Sequence, residues 1–201
     1  MTNWCDNSIV LSHRDESILE RARIAFNNDC LFNEFVPIPT DLFIADINLI
    51  CDEEKTQLNK DIKSNIKKYG YKDWLDFCID HWGCSGDIIN NNNKAELYEA
   101  SLILNFYTYW NPPLKFYEKM IKFGFVIDAY YYEKSLEFAG MWFNGELFHF
   151  YDLDKPIPKE LKTIFNIPQN LMEDNTSDTS DTDDTEIDED NEEDEEDEED
   201  S

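Results

Sequence analysis

The stretch from Leu97 to Glu133, LYEASLILNFYTYWNPPLKFYEKMIKFGFVIDAYYYE, decides the fold. Its opening alternates. Tyr98, Ala100, Leu102, Leu104 and Phe106 share one side, while Glu99, Ser101, Ile103, Asn105 and Tyr107 share the other, the period of a strand with one buried face. Asn111-Pro112-Pro113 predicts a helix start, with Asn as N-cap and Pro in the first turn. That helix turns Leu114, Tyr117, Met120 and Ile121 inward and is expected to end at Gly124. Phe125 to Tyr132 then resumes the strand pattern, and Trp110, closing the first strand, is expected to anchor the core.

On the C-terminal side, Leu136–Phe143 and Leu147–Tyr151 read as two further strands, the second pair joined by Asn144-Gly145, the preferred pair for a tight type I′ hairpin. On the N-terminal side, Asn3–Ser12 reads as a strand and 14–27 as an amphipathic helix with Ile18, Leu19, Ala22, Ala25 and Phe26 inward. Leu31–Val36 reads as a second short strand, halted by Pro37-Ile38-Pro39. A helical insertion of about 40–96 interrupts the pattern. Asp52 is read as capping a helix with Leu58, Ile62, Ile66 and Tyr69 inward, ended by Gly70. A second helix follows with Trp74, Leu75, Cys78 and Trp82 on one side, ended by Gly83, and then an exposed loop. The expected class is α+β, with helices on one face of a mainly antiparallel sheet. The domain spans 1–155, a short helical adjunct 156–172, and a tail 173–201.

The tail carries 19 acids and no Lys, Arg or His in 29 residues, and apart from Ile187 nothing apolar that could enter a core, so it is expected to be disordered. Of the chain's 45 acids, 26 remain in residues 1–172 against 17 Lys and Arg, which leaves that part near −9 out of −28. Such a charge argues against direct binding of DNA or RNA and favours basic partners. The lysines Lys115, Lys119 and Lys122 on one helix are a normal solvated face. No apolar run long enough to cross a membrane is present, and no secretory leader is visible, so a cytoplasmic protein with reduced thiols is expected.

Chemistry-bearing motifs are sparse. Cys78-x-x-His81-x-x-Cys84 places three soft ligands within about two helical turns, but lacks the paired arms of a zinc site and puts Cys78 on an apolar face. A Cys–His nucleophile pair would need Cys5 or Cys84 beside His81 or His149. No phosphate-binding glycine motif occurs. The expectation is therefore no cofactor, no bound metal and no catalytic residue.

Four motifs in order resemble the YubB-type ferredoxin-like domain, a family of phage and plasmid proteins largely without assigned activity. They are Asn3-Trp-Cys-Asp-Asn7, Val36-Pro-Ile-Pro39, Tyr69-Gly-Tyr-Lys-Asp-Trp74 with His81-Trp-Gly83, and Thr108-Tyr-Trp-Asn-Pro-Pro113 with Glu137-Phe-Ala-Gly140. The resemblance covers about residues 1–150. Where the family pattern continues Trp-Gly with Thr-Lys-Trp, this chain has Gly83-Cys-Ser-Gly-Asp87. The resemblance implies a ferredoxin-like sandwich from a phage or mobile element and carries no iron–sulfur cluster with it. With the tail's charge, it leads to the expectation of an accessory protein that binds a basic host protein. The alternatives are an enzyme or metal site at the 78–84 loop, or a purely structural or solubilising role. Candidate binding residues are Trp82, Gly83, Trp110, Asn111 and Tyr131 in the domain, and Glu192, Glu193, Asp194, Glu195, Glu196 and Asp197 in the tail.

Overall fold

The computed structural model describes residues 3–44, 51–151 and 157–167. The tail, with its expected disorder and its six candidate acids, lies outside these residues. An antiparallel sheet of six strands forms the centre, in the order β2-β3-β1-β4-β5-β6. Its strands are β1 (Trp4–Ser12), β2 (Glu96–Tyr98), β3 (Ser101–Tyr109), β4 (Val126–Glu133), β5 (Phe138–Phe143) and β6 (Glu146–Tyr151). The central strand β1 pairs with β3 on one side and β4 on the other, in register Asp6 opposite Tyr107 and Asp6 opposite Tyr132. Because both neighbours are antiparallel to β1, β3 and β4 run parallel to each other and are bridged by α5 (Leu114–Lys122). By the same logic β2 runs parallel to β1 with β3 between them.

Alternation along β1 buries Cys5, Asn7, Ile9 and Leu11 on the covered face, under α1 (Glu16–Asn27) and α5. The main core there includes Phe26, Leu104, Phe106, Phe116, Tyr117, Met120, Ile127 and Trp142. Burying such side chains stabilises by about 1.5–3 kcal/mol each relative to exposure. The N-cap of α1 is Asp15, whose carboxylate accepts from the Ser17 N–H, and the Ser12 hydroxyl pairs with that of Ser101 across the strands at 2.7 Å. The hairpin turn is as expected, with Asn144 at φ 44° and Gly145 at φ 110°.

Several expectations are corrected. Leu31–Val36 is not a strand: Leu31–Phe35 forms helix α2. Leu31, Phe32 and Phe35 are buried at one-turn spacing, and the Asp87 carboxylate accepts from the N–H groups of Phe32 and Asn33, each at 2.8 Å. A cap supplied from 55 residues away in sequence decides the conformation. The run beginning at Leu97 is two strands, not one, because Glu99 turns at φ 52° and folds β2 back on β3. Helix α5 begins two residues later than its Pro-Pro start suggests, with Pro113 as N-cap, while the Asn111 carbonyl accepts from the Thr108 hydroxyl at 2.8 Å.

The insertion contributes α3 (Asp52–Tyr69) and α4 (Trp74–His81). Gly70 ends α3 in the left-handed region, as its position implies. The inward face of α3 is Leu58, Ile62, Asn65 and Tyr69; Ile66 is exposed. Asn65 takes the buried place because its side-chain amide donates to the carbonyls of Asp41 and Lys72, at 2.9 and 3.2 Å. Finally α6 (Lys159–Phe165) crosses to the opposite side of the sheet. There Ile157, Leu161 and Ile167 pack on Tyr132, Ala139, Tyr130 and Met141.

Candidate binding surface on the open sheet face

Among the described residues, α6 packs on β4 and β5 and only its C-terminal end borders the β1–β3 half of that face. The parity that buries Cys5, Asn7, Ile9 and Leu11 sends Trp4, Asp6 and Ser8 outward. The parity that buries Leu102, Leu104, Phe106 and Thr108 does the same for Asn105, Tyr107 and Tyr109. Trp4 lies tilted on Tyr109 with ring centroids 4.7 Å apart, and meets Tyr107 edge-on at 6.3 Å. Trp4 is 41 % exposed, so this aromatic group offers its faces to solvent. Its strand neighbours include no Lys, Arg or His on either side: the outward residues of β1, β3 and β4 add only Asp6 and Asp128 as charges.

Two cavities flank Tyr107. One, of about 260 Å3, is lined by Trp4, Ile89, Asn91 and Tyr107. The other, of about 270 Å3, has Asp6, Ser8, Asn105 and Tyr107 on its floor, Asn93 on one side, and Ile164, Phe165 and Asn166 of the α6 end on the other. Two backbone bonds between Ile89 and Tyr107, at 3.0 and 2.8 Å, fix the loop against β3. The Asn93 amide donates to the Asn105 carbonyl at 3.1 Å. Partial burial, reinforced by Glu133 on the far side of the strand, raises the Asp6 carboxyl above its ordinary value.

The residues expected to bind are dispersed. Trp82 is core, 1 % exposed, with its indole N–H donating to the Val36 carbonyl at 3.2 Å and its ring edge-on to Phe32. Gly83, at φ 90°, packs against the Leu114 and Lys115 backbone, and the Phe116 N–H reaches the Trp82 carbonyl at 3.2 Å, so the pair clamps α4 to α5. Tyr131 is on the covered face with no exposure, and its hydroxyl lies 2.6 Å from Nδ1 of His149. Trp110, expected to be a core anchor, is 44 % exposed at φ 68°, and Asn111 beside it is exposed. The outward residues Trp4, Asp6, Tyr107 and Tyr109 were missed, although strand parity alone marks them.

The 78–84 cluster is part of the interior. Cys78 and Cys84 are buried, and burial pushes the Cys78 thiol up to about 12 and Cys84 further. Cys5, also buried, is raised well above its ordinary value, chiefly by burial. His81 belongs to a polar chain instead: Nδ1 lies 2.5 Å from the Lys119 ammonium and Nε2 3.2 Å from the Tyr71 hydroxyl, which donates to Asp80 at 2.5 Å. Among the described residues, no three His, Cys, Asp or Glu side chains converge as a metal site would require. Nor is any helix among them long and apolar enough to cross a membrane. Comparison with protein-family models, curated proteins and solved structures finds no match.

Proposed function

We propose that this chain is a non-enzymatic binding protein whose partner presents a basic protein surface. The carrying observation is the β1–β3 face, which joins the exposed Trp4 ring and the half-buried Tyr107 and Tyr109 rings to the Asp6 carboxylate with no cation on its strands. Aromatic rings supply contact area at low entropy cost, and their faces attract cations. Ile167, the last described residue, packs on this same side of the sheet, over β4 and β5, and the 19-acid run follows it in sequence from Glu173. The buried, raised thiols speak for a packing role over a nucleophilic one.

The strand order β2-β3-β1-β4, with α1 to α4 linking β1 to β2 and α5 linking β3 to β4, supports a ferredoxin-like arrangement extended by the β5–β6 hairpin. With the YubB-type motifs, it supports a phage or mobile-element accessory role in a host cytoplasm. The test is capture from host lysate by the full chain and by a full chain with the tail acids neutralised to Asn and Gln. Prey should be enriched in basic proteins after nuclease treatment, and should be lost as salt rises. Recovery of acidic proteins, or a gel shift showing tight nucleic-acid binding, would overturn the reading.

A further inference from the structure

We propose that the Asp6 carboxylate, on the floor of the cavity beside Tyr107, is the receptor for the guanidinium of an arginine side chain carried by the partner. This rests on the binding role above and names the chemistry that its sheet face selects.

Asp6 is half-buried, yet its carboxylate has no hydrogen bond or ion pair among the described residues. Asp6 is the one charged residue of the lining, and Ser8, Asn93, Asn105 and Asn166 beside it carry polar groups that can accept as well as donate. One Asn93 donor is already committed to the Asn105 carbonyl. A guanidinium carries five N–H donors, no acceptor and a permanent charge, which complements this set. The Tyr107 ring lines the cavity and leads to Trp4, so a flat cation has an aromatic face to lie on.

Volume decides the size of the occupant. A drug-sized ligand takes a pocket of roughly 300–1,000 Å3, whereas about 270 Å3 suits one side chain with its stem in the groove. The occupant comes from outside the fold. The chain's only arginines are Arg14, Arg21 and Arg23. Arg21 and Arg23 lie on α1, across the sheet from this cavity, where they pair with Glu34 and Glu20. Arg14 lines a separate cleft at the start of α1. The acidic tail cannot fill the site, since it holds no cation.

The experiment titrates the isotope-labelled full chain with the peptides Gly-Gly-Arg-Gly-Gly, Gly-Gly-Lys-Gly-Gly and the isosteric but neutral Gly-Gly-citrulline-Gly-Gly, following backbone amide shifts. The arginine peptide should move Ser8, Asn105 and Tyr107 and bind at least fivefold more tightly than citrulline, with lysine between them. Asp6→Asn should reduce arginine to the citrulline level. Ser8→Arg, which fills the cavity from within, should abolish the shifts. Neutralising the tail should leave them in place. Equal binding of arginine and citrulline, lysine binding as tightly as arginine, or an unchanged Asp6→Asn would overturn the assignment. Should those results coincide with salt-sensitive capture of basic proteins that depends on the tail, the pocket falls while the broader binding role stands. Absence of both removes both.

Discussion

Replacing Gly140 with Ala isolates a steric contact on β5, between β4 and β6. Gly140 lies between Tyr131 on β4 and His149 on β6, paired with both. The Tyr131 ring lies across it to bring its hydroxyl within 2.6 Å of His149 Nδ1. A Cβ at 140 would stand 2.7 Å from Cε2 of Tyr131 and closer still to Cζ and the hydroxyl oxygen. Gly140 is not among the residues at positive φ, so alanine meets no backbone penalty and the cost is contact alone. The ring cannot swing away cheaply, because Tyr131 has no exposed surface and Phe138 lies edge-on to it at 6.2 Å. Overpacking a filled core costs about 1–3 kcal/mol, and breaking a buried hydrogen bond adds about 1–3 kcal/mol. Gly140→Ala should therefore lose about 2–6 kcal/mol, a large part of the ~5–15 kcal/mol typical of a domain. Urea unfolding measures it, with an unchanged slope showing that stability alone moved. In a Tyr131→Ala background the same substitution should cost less than about 1 kcal/mol, giving a coupling above the ~0.5 kcal/mol seen for independent sites. An equal cost in both backgrounds would refute the contact.

Trp82→Ala should cost about 3–5 kcal/mol, as buried Trp truncations do, while Trp110→Ala, at 44 % exposure, should leave the urea midpoint nearly unchanged. Burial pushes the Asp87 carboxyl up to about 6 from 3.8, against three backbone N–H bonds that favour its charged form. A raised carboxyl stabilises the fold below its unfolded value and loses that stabilisation as pH rises through the folded one. The stability difference between wild type and Asp87→Asn should thus fall by about 2 kcal/mol between pH 4 and pH 7, since each tenfold difference in proton affinity between folded and unfolded chain is worth about 1.4 kcal/mol and the unfolded carboxyl is already partly ionised at pH 4. His81 is held below its ordinary value by burial and by Lys119. Stability should therefore decline as pH falls below about 6.5, and His81→Gln should flatten that slope in urea titrations.

Periodicity carried most of the scaffold into view. Strands β1, β4, β5 and β6, helix α1 and the Asn144-Gly145 turn follow from alternation, helical spacing and one turn pair. What stayed hidden depends on distant partners. The α2 helix takes its cap from Asp87, and Asn65 displaces Ile66 from the buried face of α3 because two carbonyls outside the helix await its amide. The β2–β3 turn rests on a single left-handed glutamate, Glu99, a residue with no turn signature. The open face was only partly hidden. Tyr131 shares parity with the apolar Ile127 and Ala129, and its neighbours Tyr130 and Tyr132 share it with Asp128, so the sequence already marked which tyrosines turn inward. The aromatic residues that turn outward on β1 and β3 are Trp4, Tyr107 and Tyr109.

Charge and geometry divide the proposed recognition between them. The tail's 19 acids have no cation among them in sequence, and the attraction of such a run for a basic surface decays over about 8 Å at physiological salt. It therefore acts on encounter with any basic surface and discriminates little among them. The Asp6 cavity works at contact distance, on one cation that its single carboxylate pairs with. Partial burial weakens screening there and makes an unmatched partner leave a raised carboxylate without compensation. Added salt should then slow association of full chain and partner while leaving dissociation nearly constant, and Asp6→Asn should do the reverse. A protein that used only its tail would lose both rates to salt together and would tolerate any residue at position 6.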